Sequence, residues 1–347
     1  MKISMGILAY NEAESISNML YSLWEQSLFQ DNADNSIEVI VVANGCTDNT
    51  AEVARNTLKN LFKDSDPTLF QWQVCEVKES GKSNAWNLFV HQFSAPDADF
   101  FCIMDADIQL YAKASLEKML DALVENPEYW VSLDGPIKDV KLKKNKNLLE
   151  KLSVAVSSNE GHLYICGQLY CARASALRDI WMPIGLHLED GFLTQMVVTE
   201  NHTVKNPTFE KRIVRVQEAS HVYEAYTNPT TLINHEIRVV MGIVVNIFLR
   251  DYFREKCGQD LTAGELIVKL NEKNRFWLDD FIKEMSAKNW WSIPTPLVFR
   301  RYRSLQNYSF PKALARIPIA TLAFIVDLGV FFFANRELHK EVVTSYW

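Results

Sequence analysis

Apolar residues in the first half of the chain come as short runs separated by polar loops and helically spaced stretches. KISMGILA (2–9), IEVIVVA (37–43), FQWQVCEV (70–77) and DFFCIM (99–104) are short and rich in β-branched or aromatic side chains, which suits buried strands. A polar loop follows each run, and the stretches between them, such as TAEVARNTLKNLF (50–62) and AWNLFVHQF (85–93), space their apolar positions three to four apart. Strands alternating with helices predict βαβ units, hence an α/β fold with a mostly parallel sheet flanked by helices. Ligands of such sheets bind beyond the carboxyl ends of the strands. Those ends carry YNEAES (10–15), NGCTDNT (44–50), ESGKSN (79–84) and DADIQ (105–109), so four polar loops should converge on one edge.

Helix signals agree with this layout. Asp48 and Ser83 are expected N-caps, because their side-chain oxygens can accept from first-turn amides, and Asn126-Pro127 should end a helix that begins near Ala112. Strand-like YWVSL (129–133) and HLYICGQLYCA (162–172) flank the Lys-rich KDVKLKKNKNLLEK (138–151), read as a solvated loop or helix face. From about 230 the pattern turns helical: TTLINHEIRVVMGIVVNIFLRDYF, a capping-box pattern from Thr262 to Glu265, then NRFWLDDFIKEM. A catalytic domain over 1–230 and a helical C-terminal region over 231–347 are therefore expected.

Composition narrows the classes. With 347 residues, 48% of them hydrophobic and 23% charged, the chain has what a packed globular protein needs. A net charge of -7 gives no general attraction to nucleic acid. The six cysteines show no CxxC spacing and are read as reduced, with Cys75 and Cys102 acting as small hydrophobes in strands. The opening MKISMGILAYNEAES turns polar too soon for a signal peptide, which favours a cytoplasmic location.

Chemistry enters at MDADIQL (104–110). Residues i and i+2 of a strand point to the same side, and two carboxylates held that close repel unless a cation lies between them or one is protonated. The pattern asks for a metal.

Taken together and in this order, YNEAES, VVANGCTDNT, ESGKSNAWN, MDADIQL and HLEDGF (187–192) resemble the inverting family 2 glycosyltransferases of the GT-A, Rossmann-like fold, over roughly residues 1–240. The resemblance implies transfer of a sugar, from a donor expected to be UDP-linked, to a hydroxyl of a glycan or lipid-linked acceptor in glycolipid or cell-surface polysaccharide assembly. It implies Mg or Mn as cofactor, with Asp107 as direct ligand, Asp105 as ribose or water-mediated partner and His221 as a third ligand. Ala9, Tyr10, Asn11 and Glu12 would surround the base, Asn44 would meet a pyrimidine edge where many relatives carry an acid, and Lys82 would meet phosphate. Gly167, Gln168 and Glu189 would lie near the donor sugar, and Asp190 would be the base that deprotonates the acceptor. Plainer roles stay open: Glu12 as part of a helix cap, Lys82 as a solvated cation, His221 as a structural histidine. HEIRVVMG (235–242) matches the QxxRW element of processive synthases only at Arg238, which argues against a polymerising enzyme. A sugar nucleotidylyltransferase would need a Gly-rich N-terminal loop, and Gly6 stands alone. A non-catalytic partner of the same fold is opposed by the intact Asp105, Asp107 and Asp190.

Near the C-terminus, residues 288–316 contain no acid but hold Lys288, Arg300, Arg301, Arg303, Lys312 and Arg316 among aromatic residues. IPIATLAFIVDLGVFFFA (317–334) follows, interrupted only by Asp327. Basic and aromatic residues beside an apolar helix suit a cytoplasmic membrane interface, while the mid-segment charge disfavours a span. An in-plane or re-entrant anchor is expected; a C-terminal helix buried against the catalytic domain is the alternative.

Overall fold

The four strands predicted in the first half form, and they pair in parallel, whereas of the strand expected over 162–172 only the part from Leu169 forms, running antiparallel to its neighbours, with residue 162 outside the described residues. In the computed structural model, which describes residues 1–30, 35–146, 150, 163–204, 207–226, 228–258 and 260–340, β1 (Lys2–Ala9) lies between β2 (Ser36–Asn44) and β4 (Phe100–Asp105), with β3 (Phe70–Val77) outside β2. The later strands are β5 (Gln109–Leu110), β6 (Val131–Leu133), β7 (Ile137–Lys138), β8 (Leu169–Arg173), β9 (Ile213–Arg215) and β10 (His221–Tyr223). Among the described residues the main sheet has seven strands in the order β3-β2-β1-β4-β8-β6-β9, and β5, β10 and β7 make a small second sheet. β8 runs antiparallel to both β4 and β6. The α/β, mostly parallel architecture is as expected.

The longer helices are α1 (Ile16–Trp24), α2 (Thr50–Leu61), α3 (Lys82–Leu88), α4 (Ser115–Glu125), α5 (Glu189–Val198), α6 (Pro229–Lys256), α7 (Ala263–Lys273), α8 (Trp277–Ala287) and α9 (Phe310–Leu338). Alternation along β1 divides the core. Ile3, Met5 and Ile7 pack with Met19 and Leu23 of α1 and Leu116 of α4, while Leu8 joins Trp86 of α3, Phe192 of α5 and Val244 of α6. That second cluster continues into Val330 and Phe331 of α9, so residues beyond 230 share a core with the sheet.

Local differences from expectation have local causes. Ser83 is not a cap: α3 begins one residue earlier, after Gly81 at φ 124°, and Ser83 is buried within its first turn. Left-handed backbone of that kind suits glycine, and it sets the turn. Asp48 is not the cap either, since Asn49 holds that position without a side-chain cap bond; Asp48 accepts from the Thr50 amide at 3.0 Å and from the Ala13 amide at 3.1 Å and so ties two loops together. β4 ends at Asp105, and Asp107 lies in the turn beyond it, exposed; the two acids do not occupy successive same-side positions of one strand. The Asn126 stop and the Thr262–Glu265 capping box are present. Of the Lys-rich stretch, Asp139–Leu142 forms one helical turn, while 147–149 and 151 lie outside the described residues.

Candidate active site

Parallel pairing brings the ends of β1, β2, β3 and β4 to one edge of the sheet, and the start of α3 supplies a lysine there. The Lys82 Nζ lies 2.6 Å from Asp105 Oδ1 and 3.0 Å from Glu189 Oε1, and donates to the Gly167 carbonyl at 3.4 Å. A Cβ on Gly167 would sit 3.0 Å from Glu189 Oε1 and 3.3 Å from the Lys82 ammonium, so a side chain here would crowd the ion pair and shift it by a few tenths of an ångström. Asp190 follows Glu189 at the start of α5, and its Oδ1 accepts from the Gly191 amide at 2.6 Å. The end of β4, the segment just before β8 and the starts of α3 and α5 thus place Lys82, Asp105, Gly167, Glu189 and Asp190 around one point.

Charge is concentrated there. Burial, reinforced by the negative charge of Asp107 and only partly opposed by Lys82, raises the Asp105 carboxyl to about 7. Burial and the neighbouring Glu189 raise Asp190 to about 6. Burial first, then Asp107 and Asp48, also raises Glu12, against a stabilising hydroxyl from Ser15. For Lys82, burial works against the charged form, but Asp105 and Glu189 outweigh it and hold the ammonium protonated. Six acidic side chains gather here, and Lys82 pairs with two of them, Asp105 and Glu189, which leaves an edge that attracts further positive charge.

Loops after β1 and β2 brace each other. Asn11, in left-handed backbone at φ 56°, accepts from the Thr47 amide at 2.8 Å, and the Glu12 amide donates to the Thr50 hydroxyl at 2.7 Å. Tyr10 is half-buried between Asn11 and Ala9, whose carbonyl meets the Cys46 thiol at 3.5 Å. Asn44 is fully buried and donates to the Gly81 carbonyl at 2.7 Å. Its amide group therefore fastens β2 to the turn that carries Lys82, and its Oδ1 has no partner among the described residues.

His221 is also buried. Its Nδ1 meets Asp134 Oδ2 at 2.7 Å and its Nε2 faces Gln168 Oε1 at 3.3 Å. β10 sets it opposite Leu110 of β5, three residues beyond Asp107. Among the described residues no three His, Cys, Asp or Glu side chains form a ready metal cage. Asp105 and Asp107 offer hard oxygen donors, and Mg-type sites are commonly completed by substrate phosphates and water.

Three neighbours escaped the reading of the sequence. Asp134 follows strand β6 as Asp105 ends β4, and that shared position was the available signal. Trp86 stands four residues after Lys82 on α3, hence on the same face; its indole donates to the Tyr170 hydroxyl at 2.6 Å. Both aromatic residues line a small cavity with Lys82, Gly167, Glu189 and Asp190.

The sequence profile described as "Glycosyl transferase family 2" matches residues 4–180, just over half of the 347 residues. No curated protein sequence matches the chain. Among solved structures, the mannosyltransferase PcManGT from Pyrobaculum calidifontis, in complex with GDP-Man and Mn2+, is 18% identical with a TM-score of 0.56, the match covering 97% of this chain and 86% of that one. Residues 1–349 of S. aureus TarS, in complex with UDP, are 17% identical over 98% of this chain and 90% of that chain, at a TM-score of 0.48. Glucosyl-3-phosphoglycerate synthase from Mycobacterium tuberculosis, in complex with Mn2+, UDP-Glc and phosphoglyceric acid, is 15% identical over 70% of this chain and 77% of that chain, at 0.45. The PcManGT likeness agrees with the fold built up above, and the profile match settles the rest: this chain belongs to glycosyl transferase family 2.

Proposed function

We propose that the protein transfers one sugar, with inversion, from a UDP-linked donor to a hydroxyl of a glycan or lipid-linked acceptor, on the cytoplasmic side of a membrane, in glycolipid or cell-surface polysaccharide assembly. The observation that carries this reading is the convergence of Lys82, Asp105, Gly167, Glu189 and Asp190 at the carboxyl edge of the sheet.

Each residue has a task that its surroundings favour. Asp107, exposed beside Asp105, and Asp105 itself would hold Mg or Mn, with His221 as the third ligand. Bound there, the ion would offset charge on the departing diphosphate. Tyr10, Asn11 and Glu12 line the approach to the base. The buried Asn44 Oδ1, without a partner among the described residues, is the acceptor a pyrimidine N–H would meet once the base seats at the end of β2, and Ala9 ends β1 beside it. Lys82 gives a fixed positive charge to phosphate. Gly167 lets backbone approach the sugar, with Gln168 and Glu189 beside it. Asp190 takes the acceptor proton as the hydroxyl attacks; a base poised near 6 is ionised at neutral pH yet basic enough to accept it. Attack from the face opposite the diphosphate needs no enzyme nucleophile, and the anomeric centre inverts.

A thermal-shift screen of UDP, GDP, CDP and TDP with and without Mn tests the donor, with metal-dependent stabilisation by UDP expected. Proton NMR of the first product should show inverted anomeric configuration; a retained centre would contradict the single displacement.

A further inference from the structure

Helix α9 is apolar on all sides, yet only one side is covered. Ala320, Asp327, Phe331, Ala334 and Leu338 are buried against the rest of the protein. On the other side Ile319, Leu322, Ile325 and Phe332 are 70, 67, 60 and 59% exposed, with no cover among the described residues. Asp327, the one charged residue in 317–334, turns inward. Its carboxylate accepts from Arg300 Nε at 2.8 Å and Arg301 Nε at 2.9 Å, and Arg300 also pairs with Glu236 at 2.9 Å. The outward face is thereby left without charge.

Two further features select the occupant of this face. Arg303, Lys312 and Arg316 are exposed near the first turns of α9 with no carboxylate in ion-pair reach among the described residues, whereas Arg300 and Arg301 are already answered by Asp327. Toward the other end, Asn335 holds the Trp290 carbonyl at 3.0 Å, and the Trp290 side chain is 85% exposed. Cations and an exposed tryptophan toward opposite ends of a helix about 43 Å long, with an apolar face between them, are suited to a helix lying in an interface. A spanning α9 would carry Arg300, Arg301, Glu236 and Asp327 toward hydrocarbon depth. A parallel pairing of two copies over this face would set cations of the same sign against each other, and an antiparallel pairing would leave them without a carboxylate partner.

We propose that the outer face of α9 lies in the plane of an anionic lipid bilayer, its apolar side chains entering the acyl boundary and Arg303, Lys312 and Arg316 meeting headgroup phosphates. The surface stands apart from the sugar-transfer chemistry and rests on that reading only in making a lipid-linked acceptor accessible.

Flotation of the full chain with phosphatidylcholine vesicles, with and without phosphatidylglycerol, tests this. The wild type should float with the anionic vesicles, and the R303Q/K312Q/R316Q variant should partition roughly a hundredfold more weakly. The I319E/L322E/I325E variant should not float. Both variants should keep the nucleotide-dependent thermal shift, which reads folding and the site apart from the surface. Failure of the wild type to float with that shift intact overturns this inference alone, and loss of the shift with flotation intact overturns the transfer reading alone. Carbonate-resistant insertion, or a dimer in light scattering that the glutamate variant abolishes, would also overturn the in-plane docking.

Discussion

Asp190 joins function to stability in one side chain. Its carboxyl is raised to about 6 by burial first and by Glu189 second. A carboxyl whose folded pKa lies above its unfolded value contributes stability in its protonated form; that contribution is complete at low pH and is lost as pH rises through about 6. Asp190→Asn keeps an acceptor for the Gly191 amide without the charge, so at pH 8 it should gain on the order of 2 kcal/mol, and at pH 4 almost nothing, as read from denaturant melts at both values. The same change should abolish transfer. Wild-type kcat/KM should fall as pH drops through about 6, where the base becomes protonated. Asp134 gives a second test. A metal-ligating histidine is commonly oriented by a carboxylate on its other nitrogen, and loss of such a partner costs 10–100-fold in metal affinity. If His221 ligates, Asp134→Asn should weaken Mn binding by about that factor in EPR titrations, and unchanged Mn affinity would return His221 to a purely structural role. At this scale the acidic end of the apolar run at Asp105 was legible, but the same-side placement expected of Asp105 and Asp107 was not met, because β4 stops at Asp105 and Asp107 falls in the turn beyond it. Asp134 was not, since its partner lies 87 residues further along the chain and nothing local marks the pair.

At the scale of elements, α6 fixes where α5 begins. Gly242 leaves room for Leu188, the residue before Glu189: a Cβ there would fall 2.3 Å from Leu188 Cβ. Asn246, one turn on, donates to the Leu188 carbonyl at 3.1 Å. Gly242→Ala should therefore displace the acidic pair, costing about 1–3 kcal/mol by overpacking and lowering kcat by more than it changes nucleotide affinity. Gly258→Ala, where the added methyl meets nothing within 4 Å, is the control and should be close to neutral. Denaturant melts and steady-state rates on both variants decide it. Periodicity located every strand of the parallel half and the capping box of α7. It missed the start of α3, because the glycine-favoured backbone at Gly81 overrides the capping preference of Ser83. It also left the buried face of α6 undetermined, since apolar residues surround much of that helix and only packing selects a side.

Across the whole molecule, alternation of strands and helices was enough to place four loops on one edge. The order of β8, β6 and β9 was not legible, because antiparallel insertion beside β4 depends on long-range pairing that short, uniformly apolar runs do not encode. The helices beyond residue 230 share a core with the sheet, which explains how a distant element such as α6 comes to support the acidic pair. What the molecule presents as a whole is an excess of carboxylates around a single lysine, and the account requires that excess to be answered by a divalent cation when a nucleotide diphosphate binds. Isothermal titration of UDP into the protein, in Mn and again after chelation, tests this most directly. The account predicts tight binding with Mn that is largely lost in chelator and largely lost in Asp107→Asn; equal affinity with and without the metal would contradict it.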